Sequence, residues 1–444
     1  MNYKKRLSFL TLFLSISTLS THAKSENKDS LIINYFKNEI SNTEKLLIKK
    51  FDNEHIINPK ETKVSSERIW KLWEIANASF EGFPKTTITS PKTLDEFPIH
   101  KWNLIKEDPL PFYYFTKGNQ PDKGYPLFIH LHGSGPKKEE FKSSLSLSLS
   151  YNDGPSAYFI PQIPNERRYR WWFKAEQYAW EKLLRLSMIN KKIDHNKIYF
   201  LGISEGGYGS QRLGAFYADY LAGAGPMAGG EPLRNAPPRN FRHLAFSLQT
   251  GEFDNGYGRN TLTQRALEIF DSLENKHPGY FKHQIELQKG MGHGVDFSKT
   301  TPWLVNFYRT PQPKNYEWIL FPMDGRYRHC FYNIAINKSL EIKEGDEFDR
   351  AYFDFKTDQK SNSVYIIGHL TTPVEDKITK FKAGEITVYL GDQLIDLSKK
   401  VNVYYNNKKV HSKKLKLSEQ SLIESCATFG DPERLFPAKV TITL

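Results

Sequence analysis

Three segments of this chain carry residues that together could make and break an acyl bond. Gly202-Ile203-Ser204-Glu205-Gly206 sets a serine in the pattern G-x-S-x-G. Glycines two residues before and after the serine let a helix pass close to the preceding strand and leave the hydroxyl exposed on a strained turn. Gly292-His293-Gly294 places a histidine between small residues that let its ring swing. Between them in chain order, Gly251-Glu252-Phe253-Asp254-Asn255-Gly256 offers two carboxylates. Asp254 sits deeper in that loop and is preferred to Glu252, which is then a loop or rim residue. In this scheme Ser204 attacks a carbonyl carbon and His293 takes its proton. Asp254 holds the imidazole in the correct tautomer.

Acyl transfer also needs donors for the negative charge that develops on the carbonyl oxygen. The backbone N–H of Glu205, directly after the serine, is one. His132-Gly133-Ser134-Gly135 is the expected source of a second, from Ser134 or Gly133. A third loop, Asn165-Glu166-Arg167-Arg168-Tyr169-Arg170-Trp171-Trp172, bears on substrate. Arg167, Arg168 and Arg170 could pair with sugar carboxylates in bidentate fashion, and Trp171 and Trp172 could stack on sugar rings. The same loop could equally pack its tryptophans on the body and leave its arginines solvated. Glu231–Pro238 reads as another rim loop. The scheme needs no metal and no organic cofactor, and no C-x-x-C pair is present.

The elements that must position these groups alternate between strand and helix. Ile198–Leu201 is an uninterrupted apolar run suited to a strand buried on both faces. Strands are also expected at Phe112–Thr116, Leu127–Gly133, Ala157–Pro161, Ala222–Met227, Leu244–Thr250 and His283–Gln288. Helices are expected at Glu176–Ile189, Gln211–Ala218 and Leu262–Leu273. This order predicts an α/β fold, a mostly parallel sheet flanked by helices. Before it, helical spacing at Leu31–Phe51 and from Ser65 predicts a helical N-terminal segment, 24–110, ending in an extended connection over Pro91–Leu110. After the Thr310–Lys314 linker the helical period fades. Phe348–Phe355, Ser363–His369, Glu385–Leu390 and Val401–Tyr405 then predict a C-terminal β-sandwich-like domain, 315–444. The catalytic domain is 111–310.

Lys4, Lys5 and Arg6, the apolar Leu7–Leu19 and the small residues around Ala23 read as a cleavable export signal over 1–23. A secreted or periplasmic protein is expected, with no stable membrane insertion. Export leaves open whether Cys330 and Cys426, the two cysteines, pair as a disulfide. The net charge of +12 is compatible with an anionic polymer as partner. Nucleic acid is not expected, because no long basic block interleaves with aromatics. The 14% aromatic content suits a well-filled core, and also proteins that stack on sugars.

His132–Gly135, Gly202–Gly207 and Gly292-His293 together resemble the α/β-hydrolase superfamily. Within it the chain is most similar to secreted esterases of the feruloyl esterase and polyhydroxybutyrate depolymerase type. The resemblance covers about Pro111–Arg309. It implies a serine carboxylesterase acting through an acyl-enzyme. A looser likeness to exported hydrolases with β-rich appendages implies polysaccharide esters as substrates: acetyl, feruloyl or pectin methyl ester. Two rivals stand beside this. One is a prolyl-oligopeptidase-like serine peptidase, which shares the Gly-Gly-Tyr-Gly extension of the turn. The other is a carbohydrate-binding protein with an inactive hydrolase core.

Overall fold

The structure is a computed structural model, and it describes residues 28–42, 47–52, 54–84, 93–164 and 170–444. The expected export signal lies outside the described residues. The chain divides into two compact units, one made of residues up to Gly82 with Lys416–Pro437, the other of Phe83–Leu415 with Ala438–Leu444.

The smaller unit is helical. Residues 28–41 form α1, Thr62–Asn77 form α2 and Glu419–Phe429 form α8, the last helix in chain order. Helix α2 starts three residues before the Ser65 start expected from sequence, and no side chain caps it. Its buried stripe of Ile69, Leu72 and Trp73 follows the helical period, and Trp73 meets Phe36 of α1 edge-on at 5.1 Å. Ser418 caps α8 by accepting from the Ser421 N–H. Arg68 of α2 donates to Glu419 at 3.0 Å.

The larger unit is built on an eight-stranded sheet. Its strands are β1 (His100–Leu104), β2 (Glu107–Lys117), β3 (Tyr125–Leu131), β4 (Ser156–Pro161), β5 (Ile193–Ile203), β6 (Gly223–Met227), β7 (Ala245–Gly251) and β8 (His283–Gln288). The order is β1-β2-β4-β3-β5-β6-β7-β8. Strand β2 runs antiparallel to β1 and β4, and all pairs from β4 through β8 are parallel. The connecting helices are α3 (Lys137–Ser150), α4 (Lys174–Ile189), α5 (Glu205–Phe216) and α6 (Arg259–Lys276), with α7 (Thr300–Leu304) after β8. Parallel strands need such crossovers, and the crossovers bury both sheet faces. Strands β3 to β7 are accordingly almost wholly buried.

Aromatic side chains fill the sheet's interior. Phe115, Tyr158, Phe128 and Tyr199 stack in sequence across β2, β4, β3 and β5, with centroids 5.4, 5.3 and 4.8 Å apart. Each such ring contributes about 1.5–3 kcal/mol through burial, and stacking adds about 0.5–1.5 kcal/mol per pair. This ladder is where much of the aromatic content goes.

After α7 come two further sheets. One contains β10 (Cys330–Phe331), β11 (Ile334–Lys338), β15 (Glu385–Leu390) and β18 (Ala438–Thr443). The other contains β9 (Asn315–Leu320), β12 (Arg350–Asp358), β13 (Ser363–Thr371), β14 (Ile378–Thr379), β16 (Lys400–Tyr405) and β17 (Lys408–Lys414). Trp318 of β9 stacks on Phe331 of β10 at 5.4 Å, so aromatic rings join the two.

The expected divisions at 110 and 310–315 are not where the chain separates. His100–Leu104, expected as an extended connection, is a strand of the main sheet, and the 110/111 boundary falls inside β2. The β-rich part shares a unit with the main sheet because buried polar groups tie them together. Asn240 accepts from the Ile319 N–H at 2.7 Å and donates to its carbonyl at 3.0 Å. Arg328 donates to the Phe216 carbonyl at 2.9 Å and pairs with the buried Asp219. Residues 416–437 instead join the N-terminal helices. Cys330 and Cys426 are both buried, lie one in each unit and are not joined as a disulfide. Among the described residues no helix is long and apolar enough to cross a membrane.

Candidate active site

Strand β5 ends at Ile203 and helix α5 begins at Glu205, so Ser204 alone makes the turn. Its φ of 54° and ψ of −113° lie where side-chain-bearing residues seldom sit. The Ser204 N–H is anchored to the Met227 carbonyl at the end of β6, at 2.9 Å. Two glycines make the turn possible. A Cβ on Gly206 would lie 2.0 Å from the Leu131 carbonyl oxygen at the end of β3, and one on Gly202 2.3 Å from the Gly206 carbonyl oxygen. Both contacts are with backbone, which cannot rotate away. Gly206→Ala is therefore expected to cost about 1–3 kcal/mol of stability. It should also lower turnover about 100-fold, by displacing the serine. Thermal unfolding and ester turnover, measured on one preparation, check this.

Asp254 and His293 sit beyond the carboxyl ends of β7 and β8, the edge at which β5 delivers Ser204. His293 Nε2 is 3.1 Å from Ser204 Oγ, and His293 Nδ1 is 2.8 Å from Asp254 Oδ2. Asp254 is buried and His293 is half exposed. Glu252 does not reach the histidine. It is partly exposed, and its carboxylate accepts the Gly290 N–H at 2.9 Å, bracing the acid loop against the histidine loop.

Asp254 has a partner that the sequence does not signal. Arg259 donates from Nε to Oδ2 at 2.8 Å and from Nη2 to Oδ1 at 2.5 Å. Burial acts to raise the Asp254 pKa. The hydrogen bonds from Arg259 and His293 outweigh it, and the carboxyl is held below its ordinary value.

On the far side of Ser204, the 132–135 loop is held by buried contacts. His132 accepts the Ile163 N–H at Nε2, 3.0 Å away, so its proton is on Nδ1 and is donated to the Gly133 carbonyl at 2.7 Å. Burial pushes the His132 pKa down to about 4, which keeps the ring neutral in this role. Gly133 is close to the serine, since a Cβ there would lie 3.4 Å from Ser204 Cβ. Its N–H, however, donates to Glu140 Oε2 of α3 at 3.1 Å. Gly133 is thus corrected from oxyanion donor to anchor of the loop. Ser134 is at the exposed tip and remains the candidate donor there. Glu205 is the first residue of α5, whose leading N–H groups have no intrahelical acceptor.

The Arg-Trp loop separates into different roles. Arg167 and Arg168 lie outside the described residues. Trp171 is fully buried, which corrects its expected role as a stacking surface for sugar. Its indole N–H donates to the His132 carbonyl at 3.1 Å, and its ring lies where a Cβ on Gly209 would come within 2.9 Å. It wedges the 132–135 loop against α5. Trp172 is partly exposed and has two guanidinium groups over its ring, Arg212 at 3.9 Å and Arg170 at 5.7 Å from the ring centre. Arg170 donates to Glu205 at 3.0 Å, and Arg212 grips Glu231 with two bonds of 2.5 and 3.1 Å. Burial raises the Glu205 pKa and Arg170 opposes it. Each arginine therefore faces a carboxylate of this chain.

Among the described residues, no group of three or more His, Cys, Asp or Glu could hold a metal ion. Phe253, Tyr257 and Met291 are exposed on the loops that carry Asp254 and His293.

Sheet order, serine turn and the Ser–His–Asp line are together the arrangement of an α/β-hydrolase. Solved structures similar to this chain include a thermostable esterase, at 20% identity over 49% of this chain and 64% of that one, with a TM-score of 0.37. Another is a ferulic acid esterase, at 15% identity over 48% and 99%, with a TM-score of 0.33. A third is BES protein from Bacillus cereus, at 13% over 51% and 98%, with a TM-score of 0.35. No family model and no curated protein matches the chain.

Proposed function

We propose that this protein is an exported serine carboxylesterase that hydrolyses ester groups on a plant-type polysaccharide. One observation carries the reaction class: Ser204 Oγ, both nitrogens of His293 and Asp254 Oδ2 lie in line, joined by contacts of 3.1 and 2.8 Å. Ser204 attacks the ester carbonyl as His293 Nε2 takes its proton. The tetrahedral oxyanion is met by the Glu205 N–H and by the Ser134 end of the facing loop. His293 then passes the proton to the leaving alcohol oxygen. Water, deprotonated by His293, cleaves the acyl-enzyme and restores the serine. Asp254 stays ionised throughout and stabilises the imidazolium.

Three features support a carbohydrate polymer as substrate. The N-terminal segment has the pattern of an export signal. Trp172 is a partly exposed indole, with the guanidinium groups of Arg170 and Arg212 over its ring. Phe253 and Tyr257 put exposed rings on the loop that carries the acid. Sugar rings stack on such faces, and acetyl, feruloyl and methyl esters all present the same carbonyl.

A panel of acetylated, feruloylated and methyl-esterified polysaccharides, run beside peptide anilides, tests this proposal. Release of acid or methanol from at least one polymer, with no anilide cleavage, is the expected result. Cleavage of anilides but of no polymer ester would make the protein a peptidase.

A further inference from the structure

We propose that Arg259 is a positioning residue for the triad, clamping the Asp254 carboxylate and offsetting its charge. The proposal rests on the serine hydrolase reading above.

The Asp254 carboxylate receives three donors: Nε and Nη2 of Arg259 and Nδ1 of His293. The two bonds from Arg259 are parallel, and such a fork fixes the plane of a carboxylate as well as its place. Oδ2, the atom facing His293, also accepts from Arg259 Nε. The carboxylate therefore cannot turn away from the imidazole without breaking the fork. Arg259 is itself held from a second side. It is the first residue of α6 and is 8% exposed, and its Nη1 reaches the Tyr208 hydroxyl at 3.4 Å. Tyr208 lies one turn along α5 from Ser204, and its N–H bonds to the Ser204 carbonyl at 3.1 Å. The chain folds closely around the guanidinium, since a Cβ on Gly256 would lie 2.5 Å from Nη2. Arg259 thus ties the acid loop to the nucleophile helix.

Its charge matters too. A carboxylate beside an imidazole favours the protonated ring, which cannot take the serine's proton. A guanidinium on the same carboxylate reduces that pull. The other charged and titratable groups near the cluster do not substitute for it. Tyr208 faces Arg259 from α5. Glu231, after β6, is held by Arg212, and Glu252 is turned to the Gly290 N–H.

The test is the pH profile of kcat/KM on a small nitrophenyl ester for wild type, Arg259→Lys, Arg259→Met and Ser204→Ala, with thermal unfolding of each. Arg259→Met is expected to move the acid limb to higher pH by about one unit. It should also lose about 10- to 100-fold in kcat through misplacement of the acid. Arg259→Lys keeps the charge but not the fork. It should lose kcat at unchanged KM and leave the limb in place. An unmoved limb in a folded Arg259→Met protein would overturn the proposal. Should Arg259→Met not fold, wild-type kcat in Arg259→Lys would overturn it, and reduced kcat with an unmoved limb would support it. Ser204→Ala separates the two levels. Turnover retained there defeats the hydrolase reading itself. Turnover lost there, with an unmoved limb in Arg259→Met, defeats only the role given to Arg259.

Discussion

Ser204→Ala is expected to abolish ester hydrolysis, lowering kcat by roughly 10⁵- to 10⁶-fold. The whole reaction passes through Oγ, whose contact to His293 is 3.1 Å. The fold should scarcely notice. The turn is held by the Ser204 N–H to Met227 and by the glycines at 202 and 206, none of which the substitution touches. Alanine meets the same unfavourable φ as serine, so stability should stay within about 0.5 kcal/mol of wild type. Turnover of a nitrophenyl ester, with thermal unfolding as control, checks this. A folded variant retaining a tenth of wild-type kcat would sink the assignment.

Asp254→Asn is expected to do two kinds of damage. Turnover should fall about 10⁴-fold, because an amide cannot hold the His293 tautomer or stabilise the imidazolium. Stability should also fall, by about 3 kcal/mol, because Arg259 is left largely buried beside an amide that cannot match its fork. The pH dependence has a definite sign. The Asp254 carboxyl is held below its ordinary value in the folded protein. Its stabilisation is therefore present above the ordinary carboxylate range and is lost as pH falls through the lowered pKa. Wild type should lose stability in acid, and Asp254→Asn should lose less over the same range. Denaturant unfolding of both proteins at pH 7 and near pH 3 measures this. Equal acid sensitivity would contradict the clamp between Arg259 and Asp254.

The candidate catalytic line was legible in the sequence because its constraints are local. A serine between two glycines after an apolar run leaves few backbone solutions. Asp254 and His293 each follow a strand directly. What surrounds them was not legible, because it depends on contacts between distant segments. Arg259 is an ordinary arginine at the start of a helix until Asp254 folds back on it. Gly133 looked like an oxyanion donor because Glu140 lies on α3, which the sequence pattern hides. The run Ser144–Ser150 alternates serine and leucine with the period of a strand, yet it is helical, with Ser144, Leu145 and Ser148 buried. Tertiary packing has overridden the local period. Trp171 and Trp172 are adjacent and chemically alike, and only the packing of α5 sends one inward and leaves the other at the rim. Strand β17, Lys-Lys-Val-His-Ser-Lys-Lys, escaped for a related reason. Lysine is depleted from strands in general but is favoured on an exposed sheet edge, where it discourages pairing with other chains. The β-rich sheets were legible as strands but not as part of the catalytic unit, since Asn240 and Arg328 give no sign of their partners.

The most direct test of the central claim is to find where an electrophile that mimics the ester bonds to the protein. The wild-type protein, treated with a fluorophosphonate at neutral pH, should gain the mass of one phosphonyl group. Peptide mapping should place that group on Ser204, and Ser204→Ala should gain none. Labelling of another residue, or a wild-type protein that hydrolyses esters while remaining unlabelled, would contradict it.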